Sequence, residues 1–277
     1  MATSTSARAT VLIAILAKDK AYSLPLYLDL ILKSDYPKEY IGLYIRSNNN
    51  NDDTITILKD WTDQHRQQYI EIYEDYSNVK EKVEQYKEHE WNATRFKVLA
   101  NIRQKSLDYA YDRGYDYYFV VDCDNFIHPE TLPHLISLNK DIVGPFLRKD
   151  TLDYYSNYHH CVDDNGYFSH CGHYEEILNQ KIKGQIQVDV IHCTYLISRD
   201  CIPKISYIDQ TGRYEYVIFS DSCRRNNVDQ WIDNTRIWGY LTFYNIDTFD
   251  PAKIAEMLKL WPPYLVTLCL KCKIKIM

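Results

Sequence analysis

Asp122 and Asp124 close the run Tyr117-Tyr118-Phe119-Val120-Val121, so an apolar, β-rich segment leads directly into an Asp-x-Asp triplet. Residues two apart on an extended chain project to the same side. Two carboxylates held there repel each other unless a cation lies between them. A hard divalent ion with a diphosphate as co-ligand is the chemistry that uses such a pair. A helix cap followed by a loop carboxylate would give the same triplet. Position favours the metal, because strand ends in α/β sheets form the edge at which such folds bind ligands.

Other polar groups fall at the same expected edge. Lys18 and Asp19 follow the apolar run 11–17, which ends in Ala17. A lysine there meets a phosphate or a base, or simply ends the strand. Asn50-Asn51-Asp52-Asp53-Thr54 has the composition of a loop capping a helix, with Asp52 or Asp53 as N-cap, and its place makes Asn50 and Asp52 candidates for nucleoside or ribose contacts. His192 lies in the apolar segment 190–195, either as a hydrogen-bonded core group or with a direct catalytic or metal role beside Asp122 and Asp124. Glu215 opens a helix, where the dipole favours a carboxylate; as a general base it has to face an acceptor. His159, His160, Cys161, His170, Cys171 and His173 are dense enough to suggest zinc, but their spacing matches no closed zinc pattern. They read better as part of a polar loop facing an acceptor.

The elements that must position these groups alternate. Strands are expected at 11–17, 41–45, 117–121, 141–146, 187–198 and 229–233. Helices are expected from Ser23-Leu24-Pro25, with Ser23 as N-cap and Pro25 in the first turn, and at 54–61, 95–112, 129–138 and 215–226. Residues 62–94 are polar and poorly periodic, and read as a solvated insertion or loop. This is the pattern of an α/β domain with a mostly parallel central sheet flanked by helices. One domain is expected over 1–250. Residues 251–277 form an appendage, a helix followed by an edge strand or packing arm.

With 277 residues, 45% of them hydrophobic, the chain is long enough to bury a large core, which excludes disorder, collagen and coiled coil. A formal charge of −6 argues against nucleic acid as a partner, because a phosphate backbone needs a basic surface. No apolar run approaches the roughly 20 residues of a transmembrane helix, and no signal peptide is visible. On that basis the eight Cys are expected to be reduced thiols and the location cytoplasmic.

Several strings together resemble one family, the collagen galactosyltransferases. They are Val11-Leu12-Ile13-Ala14-Ile15-Leu16-Ala17 with Ser23-Leu24-Pro25, Asp35-Tyr36-Pro37, Asn50-x-Asp52-x-Thr54, Arg95-Phe96, Arg103-Gln104, Phe119-Val120-Val121-Asp122-x-Asp124-Asn125, Tyr155-Ser156-Asn157, Gly166-Tyr167, Ile191-His192-x-Thr194 and Gly239-Tyr240-Leu241. The resemblance implies a GT-A (Rossmann-like) fold and inverting transfer of a hexose, galactose or glucose, from a UDP-sugar. It implies Mn²⁺ or another divalent cation bridging the diphosphate to Asp122 and Asp124, with His192 as a further metal candidate. Donor contacts would come from Ala17, Lys18, Asn50, Asp52, Arg103, Asp122, Asp124 and Thr194, and Glu215 would be the base. The implied acceptor is a collagen-like hydroxylated polypeptide such as one carrying hydroxylysine, and the implied location is the endoplasmic reticulum lumen. Tyr155, Tyr158, Tyr167 and Tyr195 are then expected near donor or acceptor rings. Two competing readings are an inactive module that holds UDP-sugar or glycan, and a nucleotidyltransferase. The second is weakened because no Gly-rich phosphate loop follows the first strand.

Overall fold

The computed structural model describes residues 8–86, 90–243 and 247–259. In chain order the first elements are β1 (Val11–Ala17), α1 (Leu24–Leu32), β2 (Ile41–Ser47), α2 (Thr54–His65), β3 (Ile72–Asp75), α3 (Ala93–Asp112), β4 (Tyr117–Val121), β5 (Asn125–Ile127) and α4 (Thr131–Ser137). They are followed by β6 (Ile142–Pro145), β7 (Leu147–Lys149), β8 (Tyr158–His159), α5 (Gly172–Leu178), β9 (Gln185–Gln187), β10 (Val190–Ile191) and β11 (Thr194–Ser198). The last are α6 (Glu215–Arg225), β12 (Gln230–Asp233), β13 (Gly239–Leu241) and α7 (Pro251–Met257).

The main sheet has eight strands in the order β3-β2-β1-β4-β11-β6-β12-β9. The first four are mutually parallel, β12 is parallel to β6, and β11 and β9 run against their neighbours. β1 is apolar without alternation because it is covered on both faces; Val11, Leu12 and Ile15 are fully buried. Right-handed crossovers carry α1 and α2 to one face and α3 to the other, and the packing agrees: α1 meets α2, while α3 meets α6. The chain moves outward from β1 to β3 and then returns to β4 on the other side of β1. This makes the β1/β4 boundary the topological switch point, where the loops leaving two parallel strands part and open a crevice.

Several expectations need correction. The segment 62–94 is not elementless: it extends α2 to His65 and supplies edge strand β3, which is polar because its outer side has no neighbouring strand. The expected strand 187–198 is the last residue of β9 followed by β10 and β11, and the latter two are parted where Cys193 adopts φ +66°. His192 therefore sits at a kink between β10 and β11 and not in mid-strand. Ser23 precedes α1 without a side-chain cap; its hydroxyl instead donates to the Lys20 carbonyl at 3.3 Å. Cys161 and Cys171 are bridged across a Cα separation of 6.3 Å, against the expectation of reduced thiols, whereas Cys123, Cys193, Cys201 and Cys223 are free. Tyr158 and Tyr195 are core residues: the Tyr158 hydroxyl donates to the Tyr174 carbonyl at 2.8 Å, and Tyr195 pairs with Tyr207 at 2.5 Å. In the appendage, α7 ends at Met257, and the expected strand or arm beyond it lies outside the described residues.

Candidate active site

The crevice at the switch point is lined by the ends of β1 and β4, one side of α3, and residues flanking β2 and α3. Its charge is distinctive. Five basic side chains (Lys18, Lys20, Arg46, Arg95 and Arg103) face it with three carboxylates (Asp19, Asp122 and Asp124) in a chain that is acidic as a whole. Such a local positive excess attracts a phosphorylated ligand without help from bulk charge.

The loop leaving β1 is laced to the loop leaving β2. Asp19, at φ +51°, donates its N–H to Asn50 Oδ1 at 2.9 Å and accepts from the Asn51 N–H at 2.6 Å. Asp52 accepts from the N–H groups of Ala21 and Thr54, both at 3.0 Å. Asn50 and Asp52 are therefore spent on holding these loops and do not line the crevice, whereas Ala17 and Lys18 do. Lys18 is paired with the neighbouring Asp19.

Both carboxylates of the Asp-x-Asp triplet are anchored. Asp122 accepts from the Arg103 Nη2 at 2.8 and 3.1 Å, and the Asp122 N–H donates to the Cys193 carbonyl at 3.0 Å. The Asp124 carbonyl accepts from the Thr242 N–H at 3.0 Å, and its carboxylate meets the Lys20 ammonium at 3.2 Å. Burial pushes the Asp122 carboxyl above its ordinary value; Arg103 opposes the shift and neighbouring Asp124 adds to it. Thr194 lies outside the crevice. It is fully buried, and its hydroxyl accepts from Asn125 Nδ2 at 2.8 Å, which steadies the residue after Asp124.

Behind Arg103, at the first turn of α6, Glu215 lies 3.6 Å from the Arg103 Nε. Its carboxyl is raised to about 7, first by burial and further by Asp122, against the pull of Arg103. Glu215 Oε2 and Arg103 Nε and Nη1 make no hydrogen bond despite being buried, an arrangement that stores polar capacity at the back of the crevice. Next to them the His192 ring packs at a tilt against Tyr216, with centroids 5.3 Å apart, and against Tyr155 at 5.9 Å. Burial, then His159 and Arg103, keep its imidazole neutral.

A family model described as "Glycosyltransferase family 25, N-terminal domain" matches residues 8–250. The chain belongs to glycosyltransferase family 25. It is 30% identical over 248 residues to procollagen galactosyltransferase 1-A of Xenopus laevis, covering 84% of this chain and 39% of that protein. It is 27% identical over 248 residues to a mouse protein named inactive glycosyltransferase 25 family member 3, covering 84% and 40%. The family 25 chain thus spans about two-fifths of the length of these relatives. Among solved structures it matches S. aureus TarS 1–349 in complex with UDP at a TM-score of 0.53 and 14% identity, over 94% of this chain and 65% of that one. It also matches a Pyrobaculum calidifontis mannosyltransferase with GDP-Man and Mn²⁺ at 0.50 and 13%, over 85% and 57%. The fold is that of the GT-A glycosyltransferases.

In this family 25 domain the Asp122 and Asp124 donor set fits a hard divalent ion, since such ions are held by one or two carboxylates with substrate phosphates completing the shell. Among the described residues no third His, Cys, Asp or Glu, His192 included, joins them in a metal-holding group. The kink at Cys193 turns the His192 segment away from the strand course that expectation assumed. Of the expected donor contacts, Ala17, Lys18, Arg103, Asp122 and Asp124 come together at the crevice; Asn50, Asp52 and Thr194 do not. Sequence reasoning missed Lys20, Arg46, Asn48, Tyr86, Trp91 and Arg95, all of which line it. Arg46 offered a signal, as a charged residue in the otherwise apolar β2. Tyr86 and Trp91 offered none, because they come from the segment read as a solvated excursion.

Proposed function

We propose that this domain transfers a hexose, galactose by preference and glucose as the alternative, from a UDP-sugar to a hydroxyl of a collagen-like polypeptide such as hydroxylysine, with a divalent ion at Asp122 and Asp124. The observation that carries this reading is the cation-rich crevice at the switch point with a carboxylate pair at its floor. The names of the relatives support galactose and collagen. When bound, the ion offsets diphosphate charge and so improves UDP as a leaving group. The chain's own part is positional: Arg103 fixes the Asp122 carboxylate through its two short contacts, and Thr242 fixes the Asp124 backbone. In the transfer, the acceptor oxygen bonds to the anomeric carbon as the bond from that carbon to the β-phosphate oxygen breaks. The electron pair leaves with UDP, and the acceptor proton passes to Glu215. A carboxyl near 7 is matched to that role at neutral pH. An oxidising secretory lumen is the proposed location, supported by the Cys161–Cys171 bridge and the collagen-directed relatives. No helix among the described residues is long and apolar enough to cross a membrane.

The test is a panel of UDP-galactose and UDP-glucose with Mn²⁺ and a hydroxylysine-containing peptide, read by mass spectrometry. The expected result is one added hexose, lost in Asp124→Asn. A second reading, a domain that holds donor without turnover, is favoured by the absence of Glu215 from the crevice lining and by its 5% exposure. UDP binding without transfer to any hydroxylated peptide would select it.

A further inference from the structure

Lys20 is one of the crevice residues that neither composition nor motif singles out, and many contacts define its placement. Its N–H donates to Thr54 Oγ1 at 2.7 Å, at the start of α2. Its carbonyl accepts from the N–H groups of Ser23 at 3.1 Å and Leu24 at 3.0 Å, at the start of α1. The backbone is therefore tied to two helices. The side chain is only 15% exposed and reaches Asp124 across 104 residues of sequence. The Tyr22 hydroxyl accepts from the ammonium at 3.1 Å, and the Tyr22 ring packs edge-on against Phe249 at 5.5 Å. A long, flexible side chain held in this way loses rotamer freedom and hydration, costs that an ordinary surface lysine avoids.

Asp124 is also one of the two carboxylates that fit a divalent ion, so an ammonium already stands at one of the ion's own ligands. Two cations cannot both sit closely on one carboxylate without repelling each other. Lys20 lines the crevice together with Lys18, Arg46 and Arg103, and displacement from Asp124 leaves its ammonium among groups suited to an anion.

We infer that Lys20 is a diphosphate-binding residue: it neutralises Asp124 when no divalent ion is present, competes with the ion for that carboxylate, and contacts the diphosphate of the nucleotide. The inference rests on the donor reading proposed above. It adds that the crevice retains affinity for a nucleoside diphosphate without metal, through a cation belonging to the chain.

Calorimetric titration of the full chain with UDP, in EDTA and in Mn²⁺, tests it with the variants Lys20→Met and Lys20→Arg. Wild type is expected to bind UDP in EDTA. Lys20→Met should bind UDP about tenfold more weakly there, the loss expected for one charge-assisted contact. Lys20→Arg should keep part of that affinity, which also controls for folding. In the absence of nucleotide, Mn²⁺ should bind Lys20→Met more tightly than wild type, because its competitor at Asp124 is gone. Equal UDP affinity of wild type and Lys20→Met in EDTA would overturn the inference. So would UDP binding by wild type in Mn²⁺ but not in EDTA, an outcome that leaves the donor reading intact. Failure to bind UDP under either condition would defeat the donor reading itself and this inference with it.

Discussion

The two halves of the sheet are built in different ways. From β1 to β4 every strand is parallel, and its neighbours along the chain are helices. From β5 onward the strands are short, mixed in direction and joined by irregular segments that include the Cys161–Cys171 bridge. The first half makes a crevice simply by ending two parallel strands at one edge. The second half contributes its polar groups singly, each placed by a local device: Cys193 at φ +66° turns the His192 segment, and the start of α6 places Glu215. Regular repetition therefore builds the crevice, while one-off loop geometry places the groups behind Arg103.

That contrast can be broken from the irregular side first. Glu215→Gln is expected to lower hexose transfer by about 10²–10⁴-fold, the range for loss of a general base, while leaving UDP affinity nearly unchanged. Wild-type transfer should rise with pH through about 7 as Glu215 ionises, and the variant should lack that limb. Stability should follow the same group with the opposite sense. A carboxyl raised from 4.5 to about 7 in the folded state holds its proton longer there than in the unfolded chain, so folding weakens as pH rises through that window. The Tm of Glu215→Gln should therefore exceed that of wild type at pH 8, by a margin that shrinks on acidification.

From the regular side, Asp124→Asn should reduce UDP release by about 10²–10³-fold, comparable to removing one electrostatic stabiliser of a transition state. If Asp124→Asn changes nothing while Glu215→Gln is dead, the division of labour between the halves is wrong. The bridge ranks next. Replacing Cys161 and Cys171 by Ser opens a loop whose ends are 10 residues apart and should cost about 2–3 kcal/mol, measured by denaturant unfolding. The smallest effect is expected at Ser23→Ala, below about 0.5 kcal/mol, because its hydroxyl makes no helix cap.

The difference between the halves also explains which elements were legible. β1, β2, β4 and α3 carry long, one-sided or continuous apolar patterns, and they lie where periodicity puts them. β3 leaves little sequence signal because an edge strand of four residues needs little apolar surface, and β10 and β11 read as one strand because one residue at positive φ leaves no mark in hydropathy. At the crevice, the placement of Asp122 and Asp124 is legible from their position after a buried strand. The placement of Asn50 and Asp52 is not, since their composition suits ligand contact and loop lacing equally well, and only the fold shows them bonded to Asp19, Ala21 and Thr54.

The sequence by itself determined that an apolar strand ends in paired carboxylates at the ligand-binding edge of an α/β sheet, because burial patterns are local and survive any rearrangement of the rest. The tertiary structure alone decided that Lys20 meets Asp124, that Arg103 stands between Asp122 and Glu215, and that His192 sits at a kink between two short strands. Those pairings join residues as many as 112 positions apart, and charge acts through space, so only the folded chain can bring the partners within reach.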